Sequence, residues 1–92
     1  MLVAHGFEGE LVEWEGPAAW HFVKVPKDAA PDFVGAFGRV PVIAEVDGVR
    51  WETSVWRDKS AGWMLPVPKK VRRGKADGDP VSVSIEVDES RL

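Results

Sequence analysis

Apolar and polar positions alternate most cleanly over residues 40–56, V-P-V-I-A-E-V-D-G-V-R-W-E-T-S-V-W. Two strand-like runs flank Asp47-Gly48. That dipeptide favours a two-residue type I′ turn, because both central positions need φ > 0. Placing it at the turn sets the register. Val46 then faces Val49, Ala44 faces Trp51, Val42 faces Thr53 and Val40 faces Val55. These eight side chains share one face, and seven of them are apolar. The other face pairs Glu45 with Arg50, Ile43 with Glu52 and Pro41 with Ser54. A slip of one residue would turn the apolar set to water, so the hairpin is strongly specified.

The rest of the chain is read in the same way. Residues 7–14 alternate imperfectly, with Phe7, Gly9 and Leu11 on one face and Glu8, Glu10, Val12 and Trp14 on the other, which predicts a first strand. Residues 15–18, E-G-P-A, form a turn. Residues 19–25, A-W-H-F-V-K-V, predict a second strand with bulk on both faces, either central or in the wall of a closed barrel. Over residues 27–37 the period changes: Phe33, Val34 and Phe37 form one helical stripe. Asp28 is a candidate N-cap, Pro31 fits the first turn, and Gly38 suits the closing position. Residues 57–62 read as a polar loop.

Residues 63–67, W-M-L-P-V, predict a further strand. Its Pro66 has no N–H for a ladder and belongs at an edge or at a position whose N–H would point outward. Residues 68–74, P-K-K-V-R-R-G, read as one helical turn with Pro68 at its start and Gly74 as its stop. A turn containing Asp77-Gly78-Asp79 leads into residues 81–87, V-S-V-S-I-E-V, a strand with Val81, Val83, Ile85 and Val87 inward. Residues 88–92 are expected to fray. The pattern predicts a mostly β fold: a small β-barrel of about six strands, with one short α-helix and one helical turn, forming a single domain over residues 1–92.

Composition narrows the function classes. There is no cysteine, which excludes disulfides, thiolate metal sites and thiol nucleophiles and fits a reducing compartment. No apolar run approaches the roughly 20 residues of a membrane span. The N-terminus lacks the features of a signal peptide, so a cytoplasmic location is expected. The net charge of −3 is segregated: residues 1–56 carry −5, residues 57–75 carry +6 and residues 76–92 carry −4.

The order of motifs resembles a known family. An opening F-x-G-x-L precedes W-x-F-V-x-V-P at Trp20, Phe22, Val23, Val25 and Pro26. A short helix ends at Phe37-Gly38. Then come V-x-V-x-x-x-V-x-G-x-x-W-x-T-S over residues 40–54, K-x-x-R at Lys69 and Arg72, and G-D-x-V-x-V with a later Asp at Gly78, Asp79, Val81, Val83 and Asp88. This order is similar to that of the bacterial domain of unknown function 1905 family. The resemblance implies a double-split β-barrel, distantly similar to the swapped-hairpin barrels of transition-state-regulator and antitoxin DNA-binding domains. It implies no established activity. In some bacterial proteins that domain is joined to a YdeI or OmpD-associated domain, which is not expected within these 92 residues.

Candidate chemistry is sparse. The two histidines, His5 and His21, sit on the parity of apolar neighbours, Phe7 and Val23. Ser54, His21 and Asp79 could be assembled on paper into a triad, but no nucleophile-elbow spacing supports it. No spacing of His and carboxylates suits a metal, and Asp77-Gly78-Asp79 reads as a tight turn rather than a calcium loop. Trp51 is expected in the core and Trp56 on the outside. Trp14, Trp20 and Trp63 can be placed either way.

An outward Trp56 beside Arg57 and the basic residues Lys69, Lys70, Arg72, Arg73 and Lys75 offers a stacking surface for bases or an aromatic ligand. The plainer roles are a barrel-end cover or dimer contact for Trp56 and a solvated turn for the basic run. The sequence therefore reads as a non-enzymatic ligand-binding or protein-interaction module. Its candidate binding residues are Trp56, Arg57, Trp63, Lys69, Arg72 and Arg73. No metal or cofactor is expected, and the ligand or protein partner is not specified. Nucleic-acid binding through residues 57–75 is the alternative, disfavoured by the acidic chain around it. A homodimer completed through the outer edge of the hairpin is left open.

Overall fold

The structure, a computed structural model, describes residues 5–14, 20–31, 38–60 and 62–92. Six strands run β1 (His5–Glu13), β2 (His21–Lys24), β3 (Arg39–Val46), β4 (Val49–Asp58), β5 (Gly62–Pro66) and β6 (Pro80–Val87). One helical turn, α1 (Lys69–Arg72), follows β5, and a 3₁₀ turn, Glu89–Arg91, follows β6. The strands form a closed antiparallel barrel in the order β1-β2-β5-β4-β3-β6, with β6 returning to β1. This is the mostly β barrel that the alternation predicts.

The hairpin has the expected register, from Val46 opposite Val49 to Val40 opposite Val55. Asp47 and Gly48 have φ of 49° and 88°, as a type I′ turn requires. The inward row of β3, Val40, Val42, Ala44 and Val46, is fully buried together with Leu11, Val23, Val55 and Leu65. Val81, Val83 and Ile85 of β6 close the core from the other side. Trp51 departs from the expectation of full burial: it packs against this core but remains half-buried at one end of the barrel. The predicted helix lies mostly outside the described residues, Phe33, Val34 and Phe37 among them. Its first residues form turns, with Ala29 N–H donating to the Pro26 carbonyl at 3.0 Å.

β3 pairs with β6, whereas β4 pairs with β5 only over Trp56–Asp58, so the first half of β4 has no strand on that side. One expectation is corrected: the C-terminal tail does not fray. The Asp88 carboxylate accepts from Ser90 N–H, Ser90 Oγ and Arg91 Nε, and Arg91 Nη2 donates to the carbonyls of Val42 (2.8 Å) and Thr53 (3.1 Å). These bonds hold the Asp88 carboxyl below its ordinary range, those from Ser90 foremost.

The β4–β5 seam is short, and its length matters for the site. It runs only from Trp56 opposite Met64 to Asp58 opposite Gly62. The reason is local. Val67 N–H donates to the His21 carbonyl and Val25 N–H to the Trp63 carbonyl, so the odd residues of β5 bond towards β2. Alternation turns residue 66 towards β4, and residue 66 is a proline with no N–H to give. The ladder stops there, Val67 and Pro68 lead the chain away, and the first half of β4 faces α1 instead of a strand.

Candidate ligand-binding cavity

Where β5 leaves β4, the barrel end opens into a cavity of about 590 Å3. Its wall is made by Trp20 and His21 at the start of β2, Trp51 and Thr53 of β4, Pro66 and Val67 at the end of β5, and Pro68, Lys69 and Arg72 around α1. Each residue arrives there for a separable reason. Trp51 and Thr53 occupy inward positions on the stretch of β4 that pairs with β3 but not with β5. His21 continues the inward row of Val23 and Val25. Trp20 immediately precedes β2 and stacks on Phe22 at 6.2 Å, while Trp14 meets Phe22 edge-on at 5.6 Å. A backbone bond from Trp14 N–H to the Trp20 carbonyl (2.7 Å) ties the two tryptophans' strands together at this end.

The helical turn is held by one apolar peg, the buried Val71. Val71 and Arg72 N–H both donate to the Pro68 carbonyl. Arg73 ends the turn in the left-handed region with φ of 51°, so Pro68 acts as N-cap and Arg73 takes the closing role expected of Gly74. With Val71 pointed inward, Lys69 and Arg72, three residues apart, share the face that meets the cavity. Arg72 Nη1 donates to the Val67 carbonyl at 3.0 Å, which fixes the guanidinium.

The six residues singled out from the sequence divide accordingly. Lys69 and Arg72 line the cavity; Trp56, Arg57, Trp63 and Arg73 do not. Trp56 is exposed as expected, but on the outer face, where Arg39 lies 5.3 Å over its ring. Trp63 points the other way and packs on the core. The anticipated surface joining Trp56, Trp63 and the basic turn is therefore not formed, because adjacent strand positions face opposite sides of the wall. Lys75 also leaves the basic set. Its Nζ donates to Asp47 Oδ2 (2.8 Å) and the Pro80 carbonyl (2.7 Å). The Lys75 bond, with a further one from Ser82 N–H, lowers the Asp47 carboxyl from its ordinary range.

The residues missed from sequence are Trp20, His21, Trp51 and Thr53. Their signal was the L-P-V-P run after an aromatic strand, which marks where a ladder must stop. The drawn triad does not form: His21 faces inward and Ser54 lies on the opposite face of β4, while Asp79 accepts from Ala76 N–H. Asp77 likewise accepts from Glu13 N–H, so both carboxylates of that turn serve the backbone. Among the described residues no group of three or more His, Cys, Asp or Glu could hold a metal ion. None of the described helices is long and apolar enough to cross a membrane.

A family model described as Domain of unknown function (DUF1905) matches residues 7–85. The chain belongs to the DUF1905 family. The match spans every residue of the cavity wall, so the opening is built wholly from the DUF1905 unit. No curated protein matches the chain.

Proposed function

We propose that this DUF1905 domain is a binding module that takes a small, largely apolar molecule into the cavity between β4 and α1, without chemistry on it. The observation that carries this reading is the indole-walled opening left where Pro66 ends the β4–β5 seam. Its volume falls within the roughly 300–1,000 Å3 of small-molecule sites, and its mix of aromatic wall and few polar groups is the usual one. A cytoplasmic location belongs to the same proposal and is supported by the cysteine-free sequence. The test is a ligand screen read by amide and indole NMR shifts. Compounds that bind as proposed shift Trp20, His21, Trp51 and Thr53 together. If every binder maps elsewhere, or none is found, the reading fails.

The nucleic-acid alternative draws on Lys69, Lys70, Arg72 and Arg73, four cations within α1 and its cap. It predicts salt-sensitive binding of mixed oligonucleotides that weakens when Arg72 and Arg73 become Ala. Absence of binding at low salt removes it. It is the weaker reading, because Lys75 is already committed to Asp47 and the chain as a whole is acidic.

A further inference from the structure

We infer that the cavity selects for an anion: its guest is a flat apolar molecule bearing a carboxylate, with the ring against Trp20 and Trp51 and the acid at Arg72 and Lys69. This rests on the binding reading above and adds the chemical class of the ligand.

Charge carries the argument first. Among the described residues the wall holds two cations, Lys69 and Arg72, and no Asp or Glu. The Glu13 carboxylate stands 3.7 Å from His21 Nε2 and is not part of the wall. A cationic guest would meet two like charges, and a neutral one would leave both to solvent. An anion completes the set.

The geometry of Arg72 makes the same selection. A guanidinium carries five N–H donors in a planar fork that matches a carboxylate. One nitrogen, Nη1, bonds the Val67 carbonyl, and Arg72 forms no ion pair among the described residues. The bond to Val67 anchors the group while Nε and Nη2 keep a free edge for two parallel bonds to an acid. Such a pre-positioned fork binds without the ordering cost a mobile lysine would carry.

His21 adds an independent sign. Its side chain is 9% exposed, and its Nδ1 is the buried side-chain polar atom without a hydrogen-bond partner among the described residues. An unmet buried polar atom is costly, and this one belongs to a residue of the cavity wall.

The test uses three probes of one shape: 2-naphthoate, its neutral amide 2-naphthamide, and the cation 2-naphthylmethylammonium. Each is titrated into the full chain and followed by NMR shifts of Trp20, Trp51 and Thr53. The acid is expected to bind about tenfold or more tighter than the amide, as a charge-assisted contact supplies, with the amine weakest. Lys69→Gln and Arg72→Gln each weaken the acid more than the amide and so narrow the gap between them. The exposed Lys69 supplies a variant with no fold at stake. Equal binding of all three probes at the cavity overturns the selectivity and leaves the binding reading standing. No shift at these residues with any probe overturns both.

Discussion

Gly9 of β1 and Val23 of β2 meet so closely inside the barrel that a Cβ on Gly9 would stand 2.6 Å from Val23 Cγ1. Val23 is fully buried, and a β-branched side chain has little rotamer freedom with which to retreat. Gly9→Ala is expected to lower stability by about 1–3 kcal/mol in a denaturant melt, the range for overpacking a core. Val23→Ala makes room, so its cost in the Gly9→Ala background should be smaller than in the wild type. Equal costs in the two backgrounds would mean that the clash is not the cause.

Asp47 ties the β3–β4 turn to β6. Its N–H donates to the Ser82 carbonyl, its Oδ1 accepts from Ser82 N–H at 2.9 Å, and its Oδ2 takes Lys75. The folded-state carboxyl lies below its ordinary 3.8. The stabilisation is therefore present above that pH and is lost as the pH falls through it towards the lower folded value. Asp47→Asn should cost about 1 kcal/mol near neutrality, since partial exposure screens the ion pair. The gap to the wild type should close on acidification below the ordinary value, as read by thermal melts across pH.

Val71 is the buried anchor of α1, which brings Lys69 and Arg72 to the cavity. Val71→Ala should cost about 1–2 kcal/mol through lost burial and an imperfectly closed void. It should also weaken 2-naphthoate binding, because the turn that carries Lys69 and Arg72 loses its anchor. A stability loss with unchanged affinity would show that the helix does not set the charge geometry.

Pro66 withholds an N–H on the side of β4. Pro66→Ala restores that donor and allows the β4–β5 ladder one more rung. The expected result is a new slowly exchanging amide at residue 66 and weaker naphthoate binding as the cavity narrows. A fast-exchanging amide with unchanged affinity would locate the origin of the opening elsewhere.

Arg91 caps the cross-strand carbonyls of Val42 and Thr53. Arg91→Ala should lower the melting temperature and speed amide exchange at Ser90, whose N–H is held by Asp88. The effect should fade on acidification, when Asp88, lowered in the folded state, finally protonates.

The hairpin was legible because every cue lay within seventeen residues: a turn dipeptide that accepts positive φ at both positions, and one apolar face on either side of it. The last strand was equally clear from Val81, Val83 and Ile85. The order of the tail is not legible locally, because Arg91 looks solvated in sequence and its carbonyl partners lie 49 and 38 residues away. Composition groups Trp56 with Trp63, whereas the pleat of the sheet sends them to opposite sides of the wall. Trp51 was correctly turned inward, but its place at an open end depended on how far β5 follows β4.

What the residues determine by themselves is the alternation: which side chains of each strand turn inward, where the chain reverses, and that a proline at position 66 must interrupt a ladder. Those are local properties of φ, ψ and donor count, set within a few bonds. Which strand lies on each side of β5 was decided only in three dimensions, and with it the gathering of Trp20, His21, Trp51 and Arg72 around one opening. That neighbour order is a matter of long-range pairing between segments up to 44 residues apart along the chain, as from Phe22 to Pro66, and no local preference encodes it.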